Sequence, residues 1–121
     1  MTNAQSIRKL KQEKINTDIK NMAEVIFEWA LKEMEEKIKD NFYGEFLIYK
    51  LEKSYEISFL NGNTYDKELM FFFEHHDEVK LFQKLKRFFD IEEGYNTILN
   101  TKASIYNTPA ISLTITIEEQ K

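Results

Sequence analysis

The spacing of the apolar residues changes along this chain from a helical period to a strand period. Residues 15–30 place their apolar side chains within a narrow arc of a helical wheel, which predicts an amphipathic helix of roughly 16–40. A similar arc predicts a second helix over 77–90. The segment AISLTITIE, residues 110–118, alternates apolar and polar side chains and predicts a strand whose leucine and isoleucines point inward. The fold must therefore combine helices with a sheet.

Three segments rich in strand-forming residues lie between the two helices, at 42–51, 54–60 and 64–73. The pair Asn61-Gly62 predicts a type I′ hairpin turn between the second and third segments. The third segment ends in LMFFF, which is apolar on both strand faces, and the first segment has the same property. Both faces of the sheet are therefore expected to be covered, either by the first helix or by a second copy of the chain.

The order of these elements, α-β-β-β-α-β, predicts an α+β fold. It consists of an antiparallel meander sheet with a long N-terminal amphipathic helix and a late C-terminal strand. Residues 91–109 have the weakest pattern and are expected to form a turn and an edge strand, KASIY. Only three glycines and one proline interrupt 121 residues, so we expect a single domain over 15–121, preceded by a basic arm over 1–14.

Charge is distributed unevenly between the two ends of the chain. Residues 1–20 carry five basic and two acidic side chains, although the net charge of the whole chain is −4. The absence of cysteine excludes disulfides and thiolate chemistry and favours a cytoplasmic location. No run approaches the roughly 20 apolar residues of a membrane span, so no contact with a membrane is expected.

The segment EHHDE, residues 74–78, is a cluster that could bind a metal or transfer protons. Glu74, His75 and Glu78 are its best local set of metal ligands, but adjacent histidines cannot readily share one ion. Asp77 and Glu78 suit the first turn of a helix, which is the preferred interpretation. The chain contains neither a Gly-rich phosphate loop nor a Gly-x-Ser-x-Gly motif. We therefore expect no enzymatic activity, no catalytic residues and no cofactor.

A basic stripe lies on the polar side of the second predicted helix and consists of Lys80, Lys84 and Arg87. Such a stripe is usually a solvated helix face, but it could contact phosphates. The order αβββα with a basic second helix resembles that of double-stranded-RNA-binding domains, which implies recognition of A-form RNA by shape. The Gly/Pro/His loop and the lysine cluster of those domains are absent here, where the helix opens with His-His-Asp-Glu. Binding to RNA or DNA is one alternative function.

The acidity of residues 21–121 favours a different partner, a host protein with a basic surface. The residues expected to contact it are Glu24, Glu28 and Glu35 on the outer face of the first helix, and Glu56, Glu92 and Glu93. Lysine outnumbers arginine 15 to 2, as is typical of the AT-rich genomes of low-GC bacteria and their phages.

The interpretation that best fits these features is a non-catalytic protein-binding module that forms a homo-oligomer. More specifically, the hypothesis is a phage or mobile-element inhibitor of a host nucleic-acid-binding enzyme, of the anti-CRISPR or another counter-defence type. This step rests on analogy between small, acidic, motif-poor proteins. A structural subunit of a phage particle is a further alternative.

Overall fold

The computed structural model describes residues 3–119. Its elements follow in the order α1 (Ala4–Lys39), β1 (Phe46–Leu51), β2 (Ile57–Phe59), β3 (Thr64–Tyr65), α2 (Leu69–His75), α3 (Glu78–Asp90), β4 (Tyr95–Ile105) and β5 (Thr108–Ile117). The strands pair antiparallel in the sheet order β3-β2-β1-β5-β4. The predicted α+β class and the order α-β-β-β-α-β are confirmed. The short helix α2 is added to the predicted set, and the edge strand predicted within residues 91–109 is longer than expected and forms β4.

The first helix begins at Ala4 rather than near residue 16. Asn3 caps it, because the Asn3 side chain accepts a hydrogen bond from the backbone N–H of Ser6 at 2.9 Å. The described part of the basic arm, residues 3–14, is therefore continuous with the rest of α1. All of its residues are exposed, so the beginning of α1 extends beyond the packed core.

The third predicted strand, residues 64–73, is wrong beyond its first two residues. Thr64–Tyr65 form β3, but the LMFFF segment belongs to α2. Leu69 and Phe72 are buried there whereas Phe71 is 70% exposed, which is the spacing of a helix face and not the alternation of a strand. A short, uninterrupted apolar run has no period that separates the two structures.

The predicted hairpin between the second and third strands forms, but its turn is not type I′. Asn61 has a positive φ of 58°, whereas Gly62 does not, and a type I′ turn needs positive φ at both residues. Gly62 is needed for space instead. A Cβ at this position would lie 2.8 Å from the side chain of Lys37 and 2.9 Å from the Cβ of Phe59.

Most of the weakly patterned segment 91–109 forms the first half of a second hairpin. The predicted edge strand KASIY is part of a longer edge strand, β4. Tyr106 and Asn107 both have positive φ and connect β4 to β5, which is the two-residue geometry of a type I′ turn. Tyr-Asn is not the Asn-Gly pair that usually marks such a turn, so the sequence pattern did not reveal it.

The core lies on one face of the sheet, and all three helices contribute to it. Phe46 and Ile48 of β1 lie opposite Ile115 and Leu113 of β5 on this face. The helices bury the following side chains against it: Ile19, Ala23, Ile26, Ala30 and Met34 of α1, Leu69 and Phe72 of α2, and Leu81, Phe82, Leu85 and Phe89 of α3. The molecule is therefore a layer of helices on a five-stranded sheet.

Of the buried hydrophobic residues in the described part of the chain, only Ala110 lies on the opposite face of the sheet, beside the buried Ser58 and Ser112. Tyr49 is half-buried on this face and Ile98 is 69% exposed. The helices of a single chain therefore cover one face only, and cover of the other face by a second copy stays a prediction. Ile117, which was predicted to point inward, is also exposed, because it pairs with Tyr95 at the end of the sheet.

Candidate functional site

The third helix, α3, has one apolar face and one basic face. It begins where the sequence predicted, because the Asp77 side chain accepts a hydrogen bond from the backbone N–H of Val79 at 2.8 Å. Its buried side chains Leu81, Phe82, Leu85 and Phe89 anchor it to the core. Lys80, Lys84 and Arg87 therefore project from the other side of the helix.

These three basic residues line one open groove of about 760 Å³ at the junction of α1 and α3. The other residues lining it are Asn16, Ile19, Gln83, Lys86, Asp90 and Ile91. Sequence reasoning missed Lys86, because it lies outside the stripe and reaches the groove from the side facing β4. Four basic residues thus converge on the groove, and among residues 3–119 Asp90 is the only acidic residue lining it.

The charge of Asp90 is neutralised locally. Lys86 Nζ donates to the Asp90 carboxylate at 2.7 Å and to the Thr97 hydroxyl at 2.9 Å, and that hydroxyl donates to Asp90 in turn. Burial alone would raise the pKa of Asp90, but the hydrogen bonds from Lys86 and Thr97 outweigh it and lower the pKa. Asp90 is thus a carboxylate already paired within the chain.

The remaining basic residues of the groove are available to a ligand. Within residues 3–119, no carboxylate lies within 4 Å of Lys80, Lys84 or Arg87, the distance that defines an ion pair. Lys84 Nζ lies 5.6 Å from the ring centroid of Phe88, a contact that orients the ammonium group without cancelling its charge. The groove therefore has a net positive charge.

The exposed start of α1 extends this basic surface. Asn16 lines the groove, and Gln12 and Arg8 lie one and two turns before it on the same face of the helix. Lys9 lies beside Arg8, and both line a shallow concavity together with Gln12. Basic side chains therefore lie at both ends of this surface, with the neutral Gln12 and Asn16 between Arg8 and the groove on α3.

The EHHDE segment does not assemble a metal site. No group of three or more His, Cys, Asp or Glu side chains in residues 3–119 is placed to hold a metal ion. His75 Nδ1 lies 2.9 Å from the backbone oxygen of Phe71, and Glu78 pairs instead with Lys50, at 2.8 Å. Glu74 is exposed on α2. The segment is the junction between two helices.

His76 has a different environment from its neighbour and was not singled out by the sequence. Only 9% of its side chain is exposed, and its Nε2 lies 3.3 Å from an Asp18 carboxylate oxygen. The pKa of Asp18 is lowered, mainly by the hydrogen bond from Lys14, with smaller contributions from His76. His76 Nδ1 is buried and has no hydrogen-bond partner in the described part of the chain.

The acidic residues singled out by the sequence do not form one patch. Glu24, Glu28 and Glu35 are exposed on one face of α1, and Glu35 is paired with Lys39 at 3.1 Å. Glu56 lies just before β2, at the end of the sheet where Leu51 pairs with Ala110.

Glu92 and Glu93 precede β4, at the end of the sheet where Tyr95 pairs with Ile117. Glu56 therefore lies at the opposite end of the sheet from Glu92 and Glu93. A length of about 20 Å separates the two ends, given six residues in β1 and ~3.3 Å per residue.

Comparison of the chain with models of protein families, with curated proteins and with solved structures finds no match.

None of the helices described in residues 3–119 combines the length and the apolar character needed to cross a membrane.

Proposed function

We propose that the protein is a non-catalytic nucleic-acid-binding module whose groove between α1 and α3 contacts the phosphate backbone. The observation that carries the proposal is the convergence of Lys80, Lys84, Lys86 and Arg87 on one groove whose single carboxylate is already paired. Affinity for nucleic acid comes largely from neutralising phosphates, so the local charge of a surface matters more than the net charge of the chain.

The spacing of the stripe suits a polyanion better than a single small anion. Lys80 and Arg87 are seven residues apart on α3, which corresponds to about 10 Å along a helix axis. The phosphates of one strand of a duplex follow each other at ~3.4 Å along its axis, so the stripe spans about three of them. Arg8 and Lys9 lengthen the contact along α1. Since these side chains contact phosphates and not bases, the module is expected to bind with little sequence preference.

The test is to reverse the charge of the stripe and measure binding to RNA and DNA, single-stranded and double-stranded, at several salt concentrations. The variant carries Lys80→Glu, Lys84→Glu and Arg87→Glu together. We expect it to bind at least ~10-fold more weakly and to show a salt slope shallower by about two to three units for a duplex.

A matched control has the same change in net charge at exposed lysines outside the groove, namely Lys32→Glu, Lys67→Glu and Lys102→Glu. It should retain most of the affinity of the unmodified chain. Equal losses in the two triple variants would show that only net charge matters and would contradict a groove. Failure of the unmodified chain to bind any of the nucleic acids at low salt would reject the proposal.

A second candidate function is inhibition of a host protein with a basic surface, of the counter-defence type. It is favoured by Glu24 and Glu28, which are exposed one turn apart and form no ion pair within residues 3–119. Glu24→Lys with Glu28→Lys should slow association with such a partner and reduce its salt dependence. The matched control is Glu52→Lys with Glu119→Lys, two exposed acidic residues that are not among those expected to contact the partner. If both pairs slow association equally, a local acidic contact on α1 is excluded.

A further inference from the structure

The exposed start of α1 carries apolar side chains that are not part of the core formed by residues 3–119. Ile7 is 52% and Leu10 is 62% exposed, although both lie in a regular helix capped by Asn3. A helical segment of about 11 residues without tertiary contacts is only marginally stable in water, since most helix stability in proteins comes from packing of an apolar face. This segment would be stabilised by a partner that covers Ile7 and Leu10.

A stripe of residues along one side of α1 links Ile7 to an exposed patch on the body of the molecule. At ~100° per residue, Ile7, Lys14, Asp18 and Val25 fall within about 40° of each other on α1. Beside Val25, between α1 and α2, lies a cavity of about 310 Å³ that is lined by Met22, Val25 and Phe71 among others. The Phe71 ring lies against that of His75, with centroids 4.4 Å apart, but 70% of Phe71 is exposed, so the far end of the stripe is also an exposed apolar surface.

The stripe is complementary to itself when a second copy runs in the opposite direction. Ile7 and Val25 lie nine residues on either side of Asn16, and Lys14 and Asp18 lie two residues on either side. Two α1 helices packed antiparallel about Asn16 would therefore place Ile7 against Val25 and Lys14 against Asp18, each contact occurring twice. This is the arrangement that a two-fold symmetric interface requires.

The charges on α1 favour this antiparallel arrangement over a parallel one. In a parallel pair in register, Lys14 would face Lys14 and Asp18 would face Asp18, and like charges at such positions are repulsive. Each chain holds a Lys14–Asp18 ion pair, at 2.7 Å. In the antiparallel arrangement, Lys14 of each copy also lies against Asp18 of the other copy. Four charges then alternate at the centre of the interface.

We propose that the occupant of this surface is a second copy of the chain. Two α1 helices pack antiparallel about Asn16, and the exposed start of each one lies on the other copy. Ile7 of one copy then covers Val25 and Phe71 of the other, beside the cavity between α1 and α2. The basic groove, which lies on a different face of α1, stays open in this dimer.

A charge exchange tests the central contact. Lys14→Asp alone and Asp18→Lys alone each place like charges across the interface, so each variant should raise the dimer dissociation constant at least ~10-fold. An equimolar mixture of the two variants should form a heterodimer, because opposite charges then meet again. Sedimentation equilibrium measures all three samples. If either single variant dimerises as tightly as the unmodified chain, the proposed centre is overturned.

A disulfide tests the proposed contact between Ile7 of one copy and Val25 of the other, and this test does not depend on charge. The chain has no cysteine, so the pair Ile7→Cys and Val25→Cys is the only source of a disulfide. The two positions are 18 residues apart on one helix, about 27 Å, and cannot be bridged within a chain. Mild oxidation should give a covalent dimer of the double variant.

Two controls complete the disulfide experiment. Ile7→Cys with Glu24→Cys displaces one cysteine by about 100° around α1 and should stay monomeric on a denaturing gel. Ile7→Cys alone should also stay monomeric. Cross-linking of Ile7→Cys alone would indicate a parallel pair and overturn the proposal. An unmodified chain that remains monomeric over a wide concentration range would overturn it as well.

Discussion

At the scale of single residues, Lys50 shows how this fold tolerates a charge on its core face. Lys50 shares the core face of β1 with Phe46 and Ile48, and 6% of its side chain is exposed. Its Nζ lies 2.8 Å from Glu78 Oε2 and 4.9 Å from the ring centroid of Phe73. A buried ammonium group is costly unless it is paired, so Glu78 at the start of α3 stabilises the end of β1.

The prediction at this scale compares two variants: one removes the Glu78 carboxylate, and the other removes the Lys50 ammonium that it pairs with. Glu78→Gln leaves the Lys50 ammonium buried beside a neutral amide and should reduce the free energy of unfolding by about 1–3 kcal/mol. Lys50→Met keeps a similar length without a charge and should cost less, within about 1 kcal/mol. Urea unfolding measures both, with Glu74→Gln as an exposed control. A Lys50→Met variant less stable than Glu78→Gln would contradict this account.

At the scale of elements, α2 is the instructive case. Its sequence, LMFFFEH, has no polar residue until its sixth position, so the pattern fits a strand as well as a helix. The burial of Leu69 and Phe72 against the other helices selects the helix. The start of α1, which the sequence predicted only as a basic arm, is a second difference: it is helical and capped by Asn3, although its residues 3–14 are all exposed.

The prediction at this scale concerns α2 and compares the effect on stability of removing two adjacent phenylalanines, the buried Phe72 and the exposed Phe71. Phe72→Ala removes a buried ring and should reduce the free energy of unfolding by about 3–5 kcal/mol. Phe71→Ala removes an exposed ring and should change it by no more than ~0.5 kcal/mol. Both are measured in a Lys14→Asp background, so that association of chains does not contribute. Comparable losses at the two positions would indicate that both rings are buried and that α2 is placed wrongly.

At the scale of the whole molecule, the distribution of charge matters more than its sum. The chain has a net charge of −4, yet basic residues from α1 and α3 converge on one groove. The acidic residues proposed for partner binding are divided between the outer face of α1 and the two ends of the sheet. A nucleic acid would therefore meet its basic residues in one groove, whereas a basic protein would meet separate acidic surfaces.

The proposed dimer and the proposed groove can coexist at this scale because they use different faces of α1. Asn16 and Ile19 line the groove, while Ile7 and Val25 belong to the stripe that is complementary to itself. Two grooves in one dimer would raise the affinity for a long nucleic acid through effective concentration. Loss of the dimer should then weaken binding without changing the contacts of either groove.

The sequence by itself determined the elements whose side chains alternate or repeat over a long window. The helical arc of α1 beyond Ile15, the capped start of α3 at Asp77 and the alternating β5 were all readable, because burial on one face leaves a regular period in the sequence. The stripe of Lys80, Lys84 and Arg87 was readable for the same reason.

Only the tertiary structure decided the features that depend on residues distant along the chain. The helical state of LMFFF, the type I′ turn at Tyr106-Asn107 and the single covered face of the sheet follow from packing between elements. The same holds for two contacts of lysine side chains: Lys50 pairs with Glu78, and Lys86 donates to the Thr97 hydroxyl beside the groove. A periodic pattern records which face of an element is buried, but the partner buried against it is set by the assembled fold.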